Sequence, residues 1–284
     1  MGYVFTPEEF EKGQIPKPQD YTTAALLVHR ALSSMHSSGL VYGASINGSY
    51  FQSDAKPGSD IDVLVVLQHP EGEKALKRLH SYIKNSLFVP LEFVPLDIKH
   101  TMKGSHGINY YYYQYLKEFC REGVIGHDPM LVILPRESWL DPPKETRDGI
   151  VSKLEKLSKK RISASGYDKD HCDFLEKVLR QPIFTAIDML RVKRGTYPSK
   201  NGKPLSKAEC CDLYAHEFIR MDSSDLFLIL DARNRYRRFL QDRKAKASDY
   251  RRLLGEMDRT YPSARRFMES NAELLSHDLP LTSA

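Results

Sequence analysis

The sequence predicts an α+β protein: a sheet domain flanked by helices over residues 1–140, then an all-α helical bundle over residues 141–284. Three observations predict it. From residue 21 to 98 the apolar pattern alternates between helical spacing and short strand-like runs. From residue 146 onward only helical spacing remains. Between them lies "LPRESWLDPPKETRD", where Pro135, Pro142 and Pro143 interrupt regular structure. A chain of 284 residues also exceeds the usual size of one domain.

The elements follow in order. "YTTAALLVHRALSSMHSSGL" is a helix, with Thr22 or Thr23 as its cap and Gly39 closing it. "LVYGASING" is a short strand entering a turn at Asn47-Gly48, and Pro57-Gly58 marks a second turn. "DIDVLVVL" is a strand, "GEKALKRLHSYIKNSL" a helix, and "LEFVPLDI" a strand interrupted by Pro95. The order helix, strand, strand, helix, strand suits an α/β or α+β sheet. In "YYYYQYLKEFCREG", Tyr112, Tyr115 or Leu116 and Phe119 are at helical spacing, which predicts a core face with one or two tyrosines left for a cleft. Five further helical stretches between residues 146 and 275 suit a bundle of four or five members.

Composition excludes several classes. Hydrophobic content of 41% with 28% charged residues describes a globular chain. The longest apolar run falls far short of the roughly twenty residues of a membrane span. The first twenty residues hold Glu8, Glu9 and Glu11 and lack a signal-peptide core, and the four cysteines show neither zinc spacing nor a disulfide framework. A cytoplasmic protein is the expectation. Lys+Arg against Asp+Glu is 13 against 16 over residues 1–143 and 29 against 21 over 144–284, net charges of −3 and +8. The second half could face a polyanion, or simply carry solvated basic helix faces such as "RNRYRR".

The chemistry concentrates at "GSYFQSDAKPGSDIDVLVVL", residues 48–67. Residues two apart in a strand share a face, so Asp60 and Asp62 point one way while Ile61 and Val63 point the other. Two adjacent carboxylates entering a buried strand repel each other unless a cation meets them. Oxygen-only donors favour Mg²⁺ or a similar hard ion. Twelve residues before Asp60, Gly48 allows close approach of backbone amides to a phosphate, and the Ser49 hydroxyl can donate to one.

This pattern of Gly-Ser, loop and Asp-x-Asp resembles the signature of the DNA polymerase β-like nucleotidyltransferase superfamily. Within it the chain is most similar to the aminoglycoside adenylyltransferases, through the "PGSDID" segment, "PLEFVPLDI" and, more weakly, "KRGTYPSKNGKPLSKAECCDLYA". The resemblance implies a nucleotidyltransferase-fold mixed sheet and a C-terminal helical domain that binds substrate. It implies a third acid on a neighbouring strand, Glu92, with Asp97 as the fallback. In the two-metal scheme Asp60 and Asp62 hold Mg²⁺, and Glu92 completes the metal site and takes a proton from the attacking hydroxyl. Gly48, Ser49 and Ser59 are implied contacts of the nucleotide phosphates. Lys207, or Lys200 if the added residues shift the match, is the implied lysine that neutralises triphosphate charge. A solvated turn explains either lysine equally well.

ATP, or another NTP, is then the co-substrate, and the acceptor is a hydroxyl of a small molecule such as an aminoglycoside. Asp173 and Glu176 fall where such an acceptor's acids are implied. The alternatives are tRNA or protein as acceptor, Arg233, Arg235, Arg237 and Arg238 being the candidate RNA-facing set, or a non-catalytic nucleotide-binding protein. The base preference and the oligomeric state are not legible, and His29, His106 and His216 show no ligand pairing.

Overall fold

The structure, a computed structural model, describes residues 3–47, 58–120, 123–161, 167–242 and 245–276. In chain order come α1 (Pro7–Glu11), α2 (Pro18–Ser37), β1 (Val41–Asn47), β2 (Ile61–Leu67), α3 (Glu71–Leu87), β3 (Leu91–Asp97), α4 (Ile98–Thr101), α5 (Tyr110–Phe119) and β4 (Val124–Gly126). Then follow α6 (Pro142–Arg161), α7 (Lys169–Arg194), the short strands β5 (Ser199–Lys200) and β6 (Lys203–Pro204), α8 (Lys207–Glu217), α9 (Ser224–Gln241), α10 (Ala247–Asp258) and α11 (Tyr261–Leu274). No helix among the described residues is long and apolar enough to cross a membrane.

The chain divides into two compact units, Met1–Tyr3 with Gly13–Leu140, and Val4–Lys12 with Asp141–Ala284. In the first, a four-stranded mixed sheet has the order β3-β2-β1-β4. β1 is antiparallel to both β2 and β4, and β2 is parallel to β3. The apolar run of β2 divides by alternation into two faces. Ile61, Val63, Val65 and Leu67 pack with Val28 and Leu32 of α2 and Leu76 and Ile83 of α3. Leu64 and Val66 pack with Leu96, Ile108, Leu116 and Trp139 on the other face. Each such fully buried aliphatic side chain contributes roughly 1.5–3 kcal/mol. Asp60 and Asp62 precede Leu64 on this second face.

α2 begins earlier than Thr22: Pro18 supplies its first turn, and the Asp20 carboxylate accepts from the Lys17 N–H at 2.6 Å. Pro95 does not interrupt β3, which runs unbroken from Leu91 to Asp97. β3 has a strand neighbour on one side only, where a missing N–H is tolerated. On α5 the fully buried side chains are Tyr111 and Leu116, whereas Tyr112, Tyr115 and Phe119 are half-buried against the second face.

The second unit is not purely helical. Asn201 (φ +54°) and Gly202 (φ +72°) form the two-residue turn of the β5–β6 hairpin, a conformation glycine and asparagine favour. Among the described residues, six helices follow residue 141 rather than four or five, because "DYRRLLGEMDRTYPSARRFMESNAELL" divides at Thr260, with Pro262 in the first turn of α11. α7 is the central member, packing against α6, α8, α9, α10 and α11.

Val4–Lys12 group with this unit, so its residues come from both ends of the chain. The Phe5 N–H donates to the Tyr236 hydroxyl at 3.0 Å, and the Phe5 carbonyl accepts from the Tyr250 hydroxyl at 2.6 Å and the Cys172 thiol at 3.4 Å. Thr6 and Glu9 close a reciprocal capping box at the start of α1. Phe10 then stacks on Tyr250 with ring centroids 4.4 Å apart.

Candidate active site

Strand register assembles three carboxylates. Asp62 of β2 is directly opposite Glu92 of β3, so both side chains project from the same face. Asp60, two residues before Asp62, extends the row on that face. One carboxylate oxygen from each of Asp60, Asp62 and Glu92 lies within 4.8 Å of the others. Asp60 is buried and the other two half-buried. Asp97 takes no part: at the far end of β3 it caps α4, accepting from the N–H groups of Lys99 at 2.8 Å and His100 at 3.1 Å.

Three carboxylates this close repel one another. Two unit charges 4 Å apart interact by about 4 kcal/mol at an effective dielectric of 20. Nearby positive charge relieves that repulsion, and an all-oxygen anionic donor set suits a hard divalent cation such as Mg²⁺. The donor set therefore fits the ion that the sequence pattern implies.

Two neighbours of the acids were not singled out in the sequence. Asn47, at the end of β1, is opposite Asp62 on the other side of β2 and is 2% exposed. Its amide donates to the Ser45 carbonyl at 3.3 Å. Tyr112 of α5 lies within electrostatic reach of Asn47, Asp62 and Glu92. Burial, and then the negative charges of Asp62, Cys120 and Glu92, push the Tyr112 hydroxyl well above the ordinary phenol range, against a smaller opposing effect of Asn47. Burial likewise raises the Cys120 thiol to about 12.

Of the other site residues expected from sequence, Gly48 and Ser49 lie outside the described residues. Ser59 is fully buried, and its carbonyl accepts from the Tyr21 hydroxyl at 3.0 Å. Lys207 belongs to the helical unit, at the first turn of α8 behind a Ser206–Glu209 capping box, with its ammonium 5.4 Å from the centre of the Phe184 ring. Lys200 is exposed in β5.

The acids expected near an acceptor already carry partners: Asp173 pairs with Lys169 at 2.7 Å, and Glu176 with Arg180 at 3.1 Å. The basic residues of α9 are also engaged. Arg235 pairs with Asp231 and Glu256, each at 2.9 Å, Arg238 approaches Asp231 at 3.9 Å, and Arg233 is buried. His106 is buried, one ring nitrogen lying 2.8 Å from the Leu134 carbonyl.

Comparison with known families bears directly on this region. Residues 28–113, which contain all three acids, match the family model described as a nucleotidyltransferase domain. Among solved structures, the chain is similar to spectinomycin adenyltransferase AAD(9) from Enterococcus faecialis, whose structure contains ATP and spectinomycin. That likeness covers 86% of this chain and 99% of the other at 15% identity, with a TM-score of 0.46. No curated protein matches the chain.

Proposed function

We propose that the protein transfers a nucleotidyl group, AMP from ATP in the expected case, to a hydroxyl of a small molecule such as an aminoglycoside. The observation that carries the reading is the Asp62–Glu92 pair, opposite in register, with Asp60 beside it inside the nucleotidyltransferase domain. Asp60, Asp62 and Glu92 would hold Mg²⁺, which when bound lowers the cost of developing charge on the phosphoryl oxygens. Glu92, half-buried like Asp62, is the proposed acceptor of the proton of an attacking hydroxyl. Asp60, the most enclosed of the three, serves as a fixed ligand. Gly48 and Ser49 retain their proposed contact with the nucleotide phosphates, and Lys207 its proposed contact with the triphosphate. Ser59 is proposed with them, although its burial suits a role in fixing Asp60 better than direct contact with phosphate.

The pairing of the α9 arginines favours the small molecule over RNA. An RNA track needs basic groups available to phosphates, and Arg235 is already paired with two acids while Arg233 is buried. The ATP assignment and the aminoglycoside example rest on the sequence resemblance. The test is transfer of label from each α-labelled NTP with Mg²⁺, with aminoglycosides and total tRNA as parallel acceptors and Asp60→Ala/Asp62→Ala as the blank. Label on a small molecule that disappears in the blank supports the reading, and label on RNA alone overturns its acceptor. Nucleotide binding with neither transfer nor pyrophosphate release overturns the enzymatic reading.

A further inference from the structure

Asp60 precedes the strand that carries Asp62, since β2 begins at Ile61. The peptide groups on either side of it are held from outside β2. On its C-terminal side, the Ile61 N–H donates to the Pro90 carbonyl at 3.0 Å, just before β3. On its N-terminal side, the Tyr21 hydroxyl of α2 donates to the Ser59 carbonyl at 3.0 Å. One residue earlier, the Tyr3 N–H donates to the Gly58 carbonyl at 2.8 Å. Tyr21 is 2% exposed, and Ser59 is fully buried. The Ser59 carbonyl shares a rigid peptide plane with the Asp60 nitrogen, so a bond that aims this carbonyl also aims the start of residue 60. Packing alone asks less of Tyr21. Its ring belongs to the core beneath the sheet, where any buried carbonyl would satisfy its hydroxyl.

We infer that Tyr21 is a positioning residue for the acid site: by donating to the Ser59 carbonyl it fixes the peptide from which Asp60 projects, so that this carboxylate stands beside those of Asp62 and Glu92. This rests on the proposed reading of the three acids as metal ligands. A ligand held in place before the ion arrives loses less freedom on binding it. Groups that orient ligands are accordingly felt in metal affinity. Loss of the Tyr21 hydroxyl should therefore weaken metal binding and spare turnover at saturating metal. Tyr250 supplies the control. Its hydroxyl also donates to a buried backbone carbonyl, that of Phe5 at 2.6 Å, but within the helical unit.

The experiment titrates Mn²⁺ against the full chain and follows the free-ion signal by electron paramagnetic resonance. The proteins are the unsubstituted chain, Tyr21→Phe, Tyr250→Phe and Asp60→Ala/Asp62→Ala, all at a temperature where circular dichroism shows each one folded. Tyr21→Phe keeps the ring in the core and removes one oxygen. It should weaken Mn²⁺ binding by about ten-fold, the lower end of the effect of losing a group that orients a ligand. Tyr250→Phe should bind as the unsubstituted chain does. In the transfer assay Tyr21→Phe should need more metal for half-maximal rate, with kcat at saturating Mn²⁺ kept within about two-fold. Unchanged Mn²⁺ affinity in Tyr21→Phe overturns the inference while leaving the three acids as ligands. An equal loss of affinity in Tyr250→Phe also overturns it, because the effect is then a general loosening of the fold. If the unsubstituted chain binds Mn²⁺ no better than the double-aspartate variant, the metal-site reading fails and the inference with it.

Discussion

Asp62 and Glu92 are directly opposite each other on two parallel strands, thirty residues apart in sequence and on one face of the sheet. A slip of one residue between β2 and β3 would turn Glu92 to the opposite face and dismantle the cluster. Apolar side chains before and after each acid secure the register: Ile61 and Val63 around Asp62, and Leu91 and Phe93 around Glu92.

Replacement of either aspartate by alanine should therefore remove transfer without unfolding the protein. Asp60→Ala or Asp62→Ala should lower kcat on the order of 10²–10³-fold or more, as expected for loss of a group that organises transition-state charge. The measurement is pyrophosphate release, with circular dichroism showing a retained fold. Full turnover by a folded Asp60→Ala protein would overturn the site.

The two acids of β3 should separate cleanly. Glu92→Gln keeps shape and polarity but loses the charge, so its activity should collapse with little change in stability. Asp97→Ala should do the reverse. It removes the cap of α4, for roughly 0.5–2 kcal/mol of stability, and should leave transfer within about two-fold of the starting rate. Parallel melts and rate measurements on the two variants test both halves of this expectation.

The segment before α2 should matter to stability out of proportion to its length. Phe5 is 1% exposed, and its removal leaves a cavity in the helical unit. Phe5→Ala should cost about 3–5 kcal/mol, measured by chemical denaturation. A loss below about 1 kcal/mol would mean that the N-terminal segment is not part of that unit's core.

The cysteines give a pH dependence with a definite sign. Burial raises the thiols of Cys120, Cys172, Cys210 and Cys211 to about 12, from an ordinary 9.0. Below pH 9 both folded and unfolded chains keep these protons, and the stability they contribute is fully present. Between 9 and 12 the unfolded chain loses them first, so stability should fall as pH rises through that window. Denaturation midpoints measured from pH 8 to 11 should decline, and the native protein should react slowly with a thiol reagent at pH 8.

Legibility followed the range of the interactions. β2 and its two aspartates could be read because alternation and the Asp-x-Asp spacing are local. Glu92 could be named as a candidate, but its position opposite Asp62 depends on parallel pairing across an intervening helix. Asn47 and Tyr112 gave less: one looks like a turn residue and the other like one tyrosine in a row of four. Their relation exists only once α5 lies against the sheet. The β5–β6 hairpin was missed despite its signal, Asn201-Gly202, because the flanking strands have only two residues each. The extent of α2 was missed for a different reason: Pro18 and Asp20 are a helix start that lies outside the apolar repeat.

The N-terminal segment also sets an order of events during synthesis. Residues 4–12 are made long before their partners: the hydroxyls that receive Phe5 belong to Tyr236 and Tyr250, 231 and 245 residues later. The sheet unit between them can complete its strand pairing while that segment still has no place to dock. The helical unit cannot close around Phe5 until Tyr250 has been made. That step joins residues made more than two hundred positions apart, a long-range closure that should make this unit the slower of the two to mature.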